Sequence, residues 1–146
     1  MVYNFLQLSY LDFEDLSVDL LQAETGERYE VFKPGKDGGI DARNVKAGIK
    51  TILQCKHFAR SGIESLLATL KNTELDKVQK LKPDRYILFT SVPLSPGNKD
   101  AIKNLFSPYI LSSRDIYGQD DINNLLDLHP DIETRNFKLW ISSSAV

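Results

Sequence analysis

The chain has a single cysteine among its 146 residues, Cys55. An internal disulfide and a cysteine-rich zinc site are therefore excluded, and the place of Cys55 in an apolar stretch marks a buried structural thiol rather than a nucleophile. Long hydrophobic runs are missing too. No segment approaches the roughly 20 apolar residues that a membrane span requires, and the first residues lack the basic-then-apolar pattern of a secretion signal. A cytoplasmic protein with no membrane partner is the expectation. There is no internal repeat, no low-complexity segment, no Gly-rich phosphate loop followed by Lys-Ser or Lys-Thr, and no helix-turn-helix, zinc-finger or winged element. With 42% hydrophobic and 26% charged residues, one ordinary globular domain is the default.

Strong charge of one sign is absent as well: the formal net charge is -2, which argues against an indiscriminate nucleic-acid binder. The distribution is uneven, however. Between Arg28 and Arg60, eight basic residues (Arg28, Lys33, Lys36, Arg43, Lys46, Lys50, Lys56, Arg60) face three acids (Glu30, Asp37, Asp41), a local charge of +5. Such a patch suits a phosphodiester substrate, since lysine and arginine hold phosphates while acids hold a metal. A solvated hairpin edge, where lysines discourage strand-to-strand aggregation, is the competing explanation of the patch alone.

Helical periodicity runs from Tyr10 to Glu24, with Ser9 as N-cap and Gly26 where the helix stops. In projection Tyr10, Leu11, Phe13, Leu16, Val18, Leu20 and Leu21 form a broad apolar arc opposite Asp12, Asp15 and Asp19. Glu14 falls inside the arc. A core-facing carboxylate is costly unless paired or bound to a metal, so it differs in kind from the three solvated aspartates. Three extended stretches follow, about 29–33, 39–45 and 50–58, with Pro34-Gly35 separating the first two and a turn at Ala47-Gly48 joining the others. Residues 61–81 read as helix with a break near Asn72, ended by Pro83-Asp84. A buried strand is expected at 85–90, a helix at 99–106, a strand at 109–112, a helix at 120–129 and a strand at 137–141. The apolar stripes near Ile63–Leu70 and Ile122–Leu128 read as core rather than as an interaction surface. His129, directly before Pro130 at a helix end, reads as a cap rather than a catalytic base.

The order α-β-β-β-α-β-α-β-α predicts an α/β fold, a mixed sheet flanked by helices on both faces. Residues 1–141 form the expected domain and 142–146 a tail or linker.

The chemistry concentrates in Asp37-Gly38-Gly39-Ile40-Asp41 and Gln54-Cys55-Lys56. If the hairpin is centred between Ala47 and Gly48, Asp41 lies opposite Gln54 and Gly39 opposite Lys56. Directly opposed Cβ atoms are about 5 Å apart and diagonal ones about 7–8 Å, so Asp41, Gln54 and Lys56 can serve one site on one sheet face. Alternation turns His57 and Cys55 to the other face. Hard cations such as magnesium take oxygen ligands: Asp41 supplies the anion, Gln54 a carbonyl, and Glu14 restores the charge that the amide lacks. Lys56 can stabilise charge on a phosphate and orient or help deprotonate an attacking water. The alternative is a diagonal Asp41–Lys56 ion pair worth about 1 kcal/mol or less. That pair leaves the core-facing Glu14 unexplained.

The string Asp37-Gly38-Gly39-Ile40-Asp41 with Gln54-Cys55-Lys56 resembles the motif of the Mrr-like branch of the PD-(D/E)xK nuclease superfamily, in which glutamine replaces the second acid. Phe13-Glu14-Asp15-Leu16 is similar to the family's first helix, whose glutamate joins the site. The resemblance spans residues 11–60 in detail. It implies a restriction-endonuclease-like core and a Mg2+-dependent endonuclease, with Mn2+ substituting, that hydrolyses double-stranded DNA using Asp41, Gln54, Lys56 and Glu14. Asp37 receives a loop-shaping role. It further implies the effector domain of a bacterial antiphage protein whose following domain hydrolyses nucleotide and drives homo-oligomerisation. The alternative is a catalytically inactive nuclease-like module that binds DNA or oligomerises, for which Gln54 in place of an acid is the signal.

Overall fold

The computed structural model describes residues 2–32, 40–58, 62–136 and 138–139. Helix α1 (Tyr10–Thr25) begins where expected, because Ser9 and Asp12 form a reciprocal capping box, and it ends at Gly26 in the left-handed conformation (φ 71°). Three antiparallel strands follow: β1 (Glu30–Val31), β2 (Ala42–Lys46) and β3 (Ile49–Lys56). A crossover made of α2 (Gly62–Thr69), a π-helical turn (Leu70–Glu74) and α3 (Leu75–Leu81) returns the chain to β4 (Arg85–Thr90), parallel to β3. Then come α4 (Pro96–Leu105), a 3-10 turn (Ser113–Asp115), β5 (Ile116–Tyr117) parallel to β4, α5 (Gln119–Leu128) and α6 (Pro130–Arg135). The five strands lie in sequence order in one mixed sheet.

Alternation along the central strands gives the sheet two apolar faces. Leu53, Cys55, Ile87 and Phe89 face α1, α5 and α6 through Phe13, Leu16, Leu20, Ile122, Leu125 and Ile132. Ile52, Tyr86 and Leu88 face the crossover and α4 through Leu66, Leu70, Val78, Ile102 and Phe106. The expected α/β architecture with both faces covered is what forms. Cys55 is a fully buried thiol, as its setting implied.

Several expected elements shift, each for a local reason. The apolar run at 109–112 is not a strand. Ile110 is buried on the α4 side, Leu111 is exposed, and Ser112 caps the 3-10 turn by accepting from the Arg114 amide, so the fifth strand starts only at Ile116. A short apolar run cannot by itself distinguish a strand from a loop that anchors one side chain. The third strand stops at Lys56, because His57 turns to hydrogen-bond Ser91 and the Leu8 carbonyl while the Phe58 amide donates to Ser91. Pro130 opens a new helix at its first position rather than ending the chain's helical region, and His129 is the C-cap of α5. At the expected 137–141 strand, the described Lys138 and Leu139 are helical; Phe137 and residues 140–146, including the tail, lie outside the described residues. So do Pro34-Gly35, Asp37 and Gly39. On α1, Leu11 is 55% exposed and does not join the core arc.

Candidate active site

The β2–β3 turn sets the geometry of everything that follows. Ala47 and Gly48 both have positive φ (53° and 80°), the two-residue turn whose twist matches that of the flanking strands. The register is therefore fixed: Ala42 opposes Leu53, Arg43 opposes Ile52, and the series ends with Lys46 opposite Ile49. Asp41, one residue before β2, continues it, with its amide donating to the Leu53 carbonyl (3.2 Å) and its carbonyl accepting from Phe32 (3.0 Å). Asp41 and Gln54 thus meet as the spacing required.

Asp41 is buried, and its carboxylate is held from three sides. Oδ2 accepts from the Cys55 amide (2.6 Å) and from Gln54 Nε2 (3.0 Å), while Oδ1 lies 3.4 Å from the Tyr10 hydroxyl, which itself donates to the Cys55 carbonyl (3.0 Å). Tyr10 and Glu14 are four residues apart on α1 and so look the same way, toward the start of β2. Glu14 is 3% exposed and shares a hydrogen bond with Asp41, and among the described residues no N–H or hydroxyl donor reaches its Oε2. Burial, then the neighbouring Asp41, push the Glu14 carboxyl up to about 7. Burial also raises Asp41, against the opposing pull of the Cys55 amide. Two carboxyl groups this close in a dry setting share a proton unless a cation replaces it.

Lys56 follows Gln54 on the same face of β3 but does not pair with Asp41. Its ammonium is 2.5 Å from Glu74, the last residue of the π-helical turn, and the two side chains are 14% and 2% exposed. The diagonal Asp41–Lys56 ion pair is thus not the arrangement adopted. Glu74 is the group that sequence reasoning missed. A signal was there: Leu66, Leu70, Glu74 and Val78 recur at four-residue spacing and are all buried, so Glu74 interrupts an apolar stripe as Glu14 does on α1.

Among the described residues no three His, Cys, Asp or Glu side chains converge, so the possible donor set is two carboxylates and an amide. That set fits a hard divalent cation: its oxygens are buried, two of its three groups are carboxyls, and no N–H or hydroxyl donor among the described residues reaches Glu14 Oε2.

The family model described as "Restriction endonuclease", for the Mrr catalytic domain, matches residues 5–103, about two thirds of the chain. The chain belongs to the restriction endonuclease family. It is also 44% identical over its whole length to the uncharacterized protein y4cD of Sinorhizobium fredii. The chain spans about a quarter of that relative's length, 23%. No solved structure matches it. As a restriction-endonuclease domain it is of the nuclease type, in a family that acts on DNA and generally uses divalent metal ions.

In this restriction-endonuclease domain, the matched region contains Glu14, Asp41, Gln54, Lys56 and Glu74. His57 points to the opposite face, stacked on Phe13 at 4.9 Å between centroids, as alternation predicted. Part of the basic patch is neutralised locally: Arg43 pairs with Glu30 (3.3 Å) and lies over the Phe32 ring, and Lys46 pairs with Glu27. Among the described residues no helix is long and apolar enough to cross a membrane.

Proposed function

We propose that this domain is a Mg2+-dependent endonuclease of double-stranded DNA, with Mn2+ able to substitute. The observation that carries the reading is the buried Glu14–Asp41 pair, whose Glu14 Oε2 meets no N–H or hydroxyl donor among the described residues, beside Gln54 and Lys56 in a member of a nuclease family. Asp41, Glu14 and the carbonyl of Gln54 would hold the cation. Gln54 donates its amide nitrogen to Asp41, which leaves that carbonyl oxygen for the ion. When bound, the cation supplies Lewis-acid polarisation of the scissile phosphate. Lys56 places a positive charge at the end of β3, where it stabilises charge building on the phosphate and orients the attacking water. The Asp41 carboxylate is fixed before substrate arrives by the Cys55 amide and the Gln54 side chain.

The chain's small share of its longer relative supports a domain within a larger protein, and we assign it the effector role in a bacterial defence protein. Cleavage of plasmid DNA with Mg2+ or Mn2+ tests the enzymatic reading. Asp41→Ala and Lys56→Ala are each expected to reduce the rate by at least about 100-fold, as loss of a charge-stabilising group does. Cleavage by both variants at the parental rate would remove these residues from the site.

A further inference from the structure

The π-helical turn ends on a carboxylate that packing alone does not demand. Leu66, Leu70 and Val78 occupy the other buried positions of its stripe, and an apolar side chain at 74 would continue it. Glu74 is instead an acid that is 1% exposed, with two lysines as its ion-pair partners: Lys56 at 2.5 Å and, on the more exposed side, Lys77 at 3.5 Å. Burying a carboxylate is costly even when it is paired, so a compensating role is expected.

The partition of charges indicates that role. A lysine paired directly with Asp41 would neutralise the carboxylate that a cation needs. Here Asp41 takes its hydrogen bonds from the Cys55 amide and Gln54, and the charge of Lys56 is met by Glu74. A lysine has a long flexible stem, and fixing its ammonium before substrate arrives removes an entropic cost from the reaction. The π-helical turn sets the position of Glu74 where the crossover passes over the end of β3. Such insertions recur at functional sites.

We propose that Glu74 is the positioning residue of the active site: its ion pair with Lys56 fixes the lysine ammonium beside Asp41 and Gln54, without Glu74 touching substrate or metal. The proposal rests on the nuclease reading given above, and its test separates the two. Five proteins are compared: the parent, Glu74→Gln, Lys56→Met, the Lys56→Met/Glu74→Gln double variant and Lys77→Met. In plasmid cleavage with Mn2+, Glu74→Gln is expected to lower kcat by about 10- to 100-fold, the usual effect of removing a group that orients a reacting one, with KM for DNA held within about 2-fold. Lys77→Met stays within about 3-fold of the parent, because a half-exposed contact at 3.5 Å carries little energy. In the Lys56→Met background, Glu74→Gln has no further effect on rate. In metal-free thermal melts each single variant at 56 or 74 lowers Tm by several degrees by stranding a buried charge, and the double variant regains most of the loss. Should Glu74→Gln not fold, Glu74→Asp takes its place, keeping the charge but shortening its reach, with the same loss of kcat expected. An unchanged or raised kcat in the Glu74 variant overturns the proposal, as does a loss that persists without Lys56. If the parent cuts no DNA, the nuclease reading fails, and the melts alone decide Glu74: independent, additive Tm losses at 56 and 74 overturn the positioning contact, and recovery in the double variant supports it.

Discussion

Replacing Glu14 with glutamine should stabilise the metal-free protein above neutral pH while abolishing its response to magnesium. The Glu14 carboxyl is pushed from its ordinary value of 4.5 to about 7 by burial and by Asp41. A carboxyl whose folded value is raised retains its proton after the unfolded chain has released one, so stability falls as pH rises between the two values. Below about 4.5 both states are protonated and nothing is lost; above about 7 the loss is complete. At about 1.4 kcal/mol per pH unit the full penalty is about 3 kcal/mol. Glutamine cannot ionise, and its amide can donate to Asp41 as the protonated carboxyl does. At pH 8 without metal, Glu14→Gln should therefore melt higher than the parent by up to about 10 °C, given a few degrees per kcal/mol for a chain of this size. At pH 5 the two should melt within about 3 °C of each other, since little of the penalty applies there. Asp41, also raised by burial, adds a slope of the same sign that both proteins retain. Scanning fluorimetry or calorimetry from pH 5 to pH 8, with and without about 10 mM MgCl2, reads all of this. A Tm difference between parent and variant that does not change with pH would refute the shared-proton arrangement, and magnesium stabilising both proteins equally would refute Glu14 as a ligand.

At Gln54, substitution by glutamate removes the 3.0 Å bond to Asp41 and places a third carboxyl in the cluster. Metal-free Tm at pH 8 should fall by the equivalent of about 1–3 kcal/mol and be restored by Mn2+, with the cleavage rate or metal preference altered. A Gln54→Glu protein as inert as an inert parent would favour the binding-module alternative. Ala47 has a left-handed conformation that asparagine adopts more readily, so Ala47→Asn should raise stability by about 0.5–1 kcal/mol in urea unfolding. A loss of stability there would mean that the turn does not set the strand register.

Much of this site was legible in the order of residues because local chemistry writes it. Ser9 with Asp12 and Gly26 delimit α1, and Glu14 stands out once that helix is projected. The turn at Ala47-Gly48 leaves one register, and that register sets Asp41 against Gln54. These interactions close within about 15 residues, so their partners are readable in one window. Elsewhere the same reasoning failed at 109–112, where a buried Ile110 and a capping Ser112 imitate a strand.

The sequence by itself determined the helix caps, the hairpin, the face shared by Asp41, Gln54 and Lys56, and the family. Only the tertiary structure decided who neutralises whom. Lys56 meets Glu74, 18 positions along and in another layer, because the crossover between two parallel strands has to pack over the end of β3. Glu14 meets Asp41 because α1 packs against the sheet that Asp41 begins to enter. Whether a buried charge is repelled, shared or paired depends on which groups the fold brings within a few ångströms of it, and no local pattern specifies that distance.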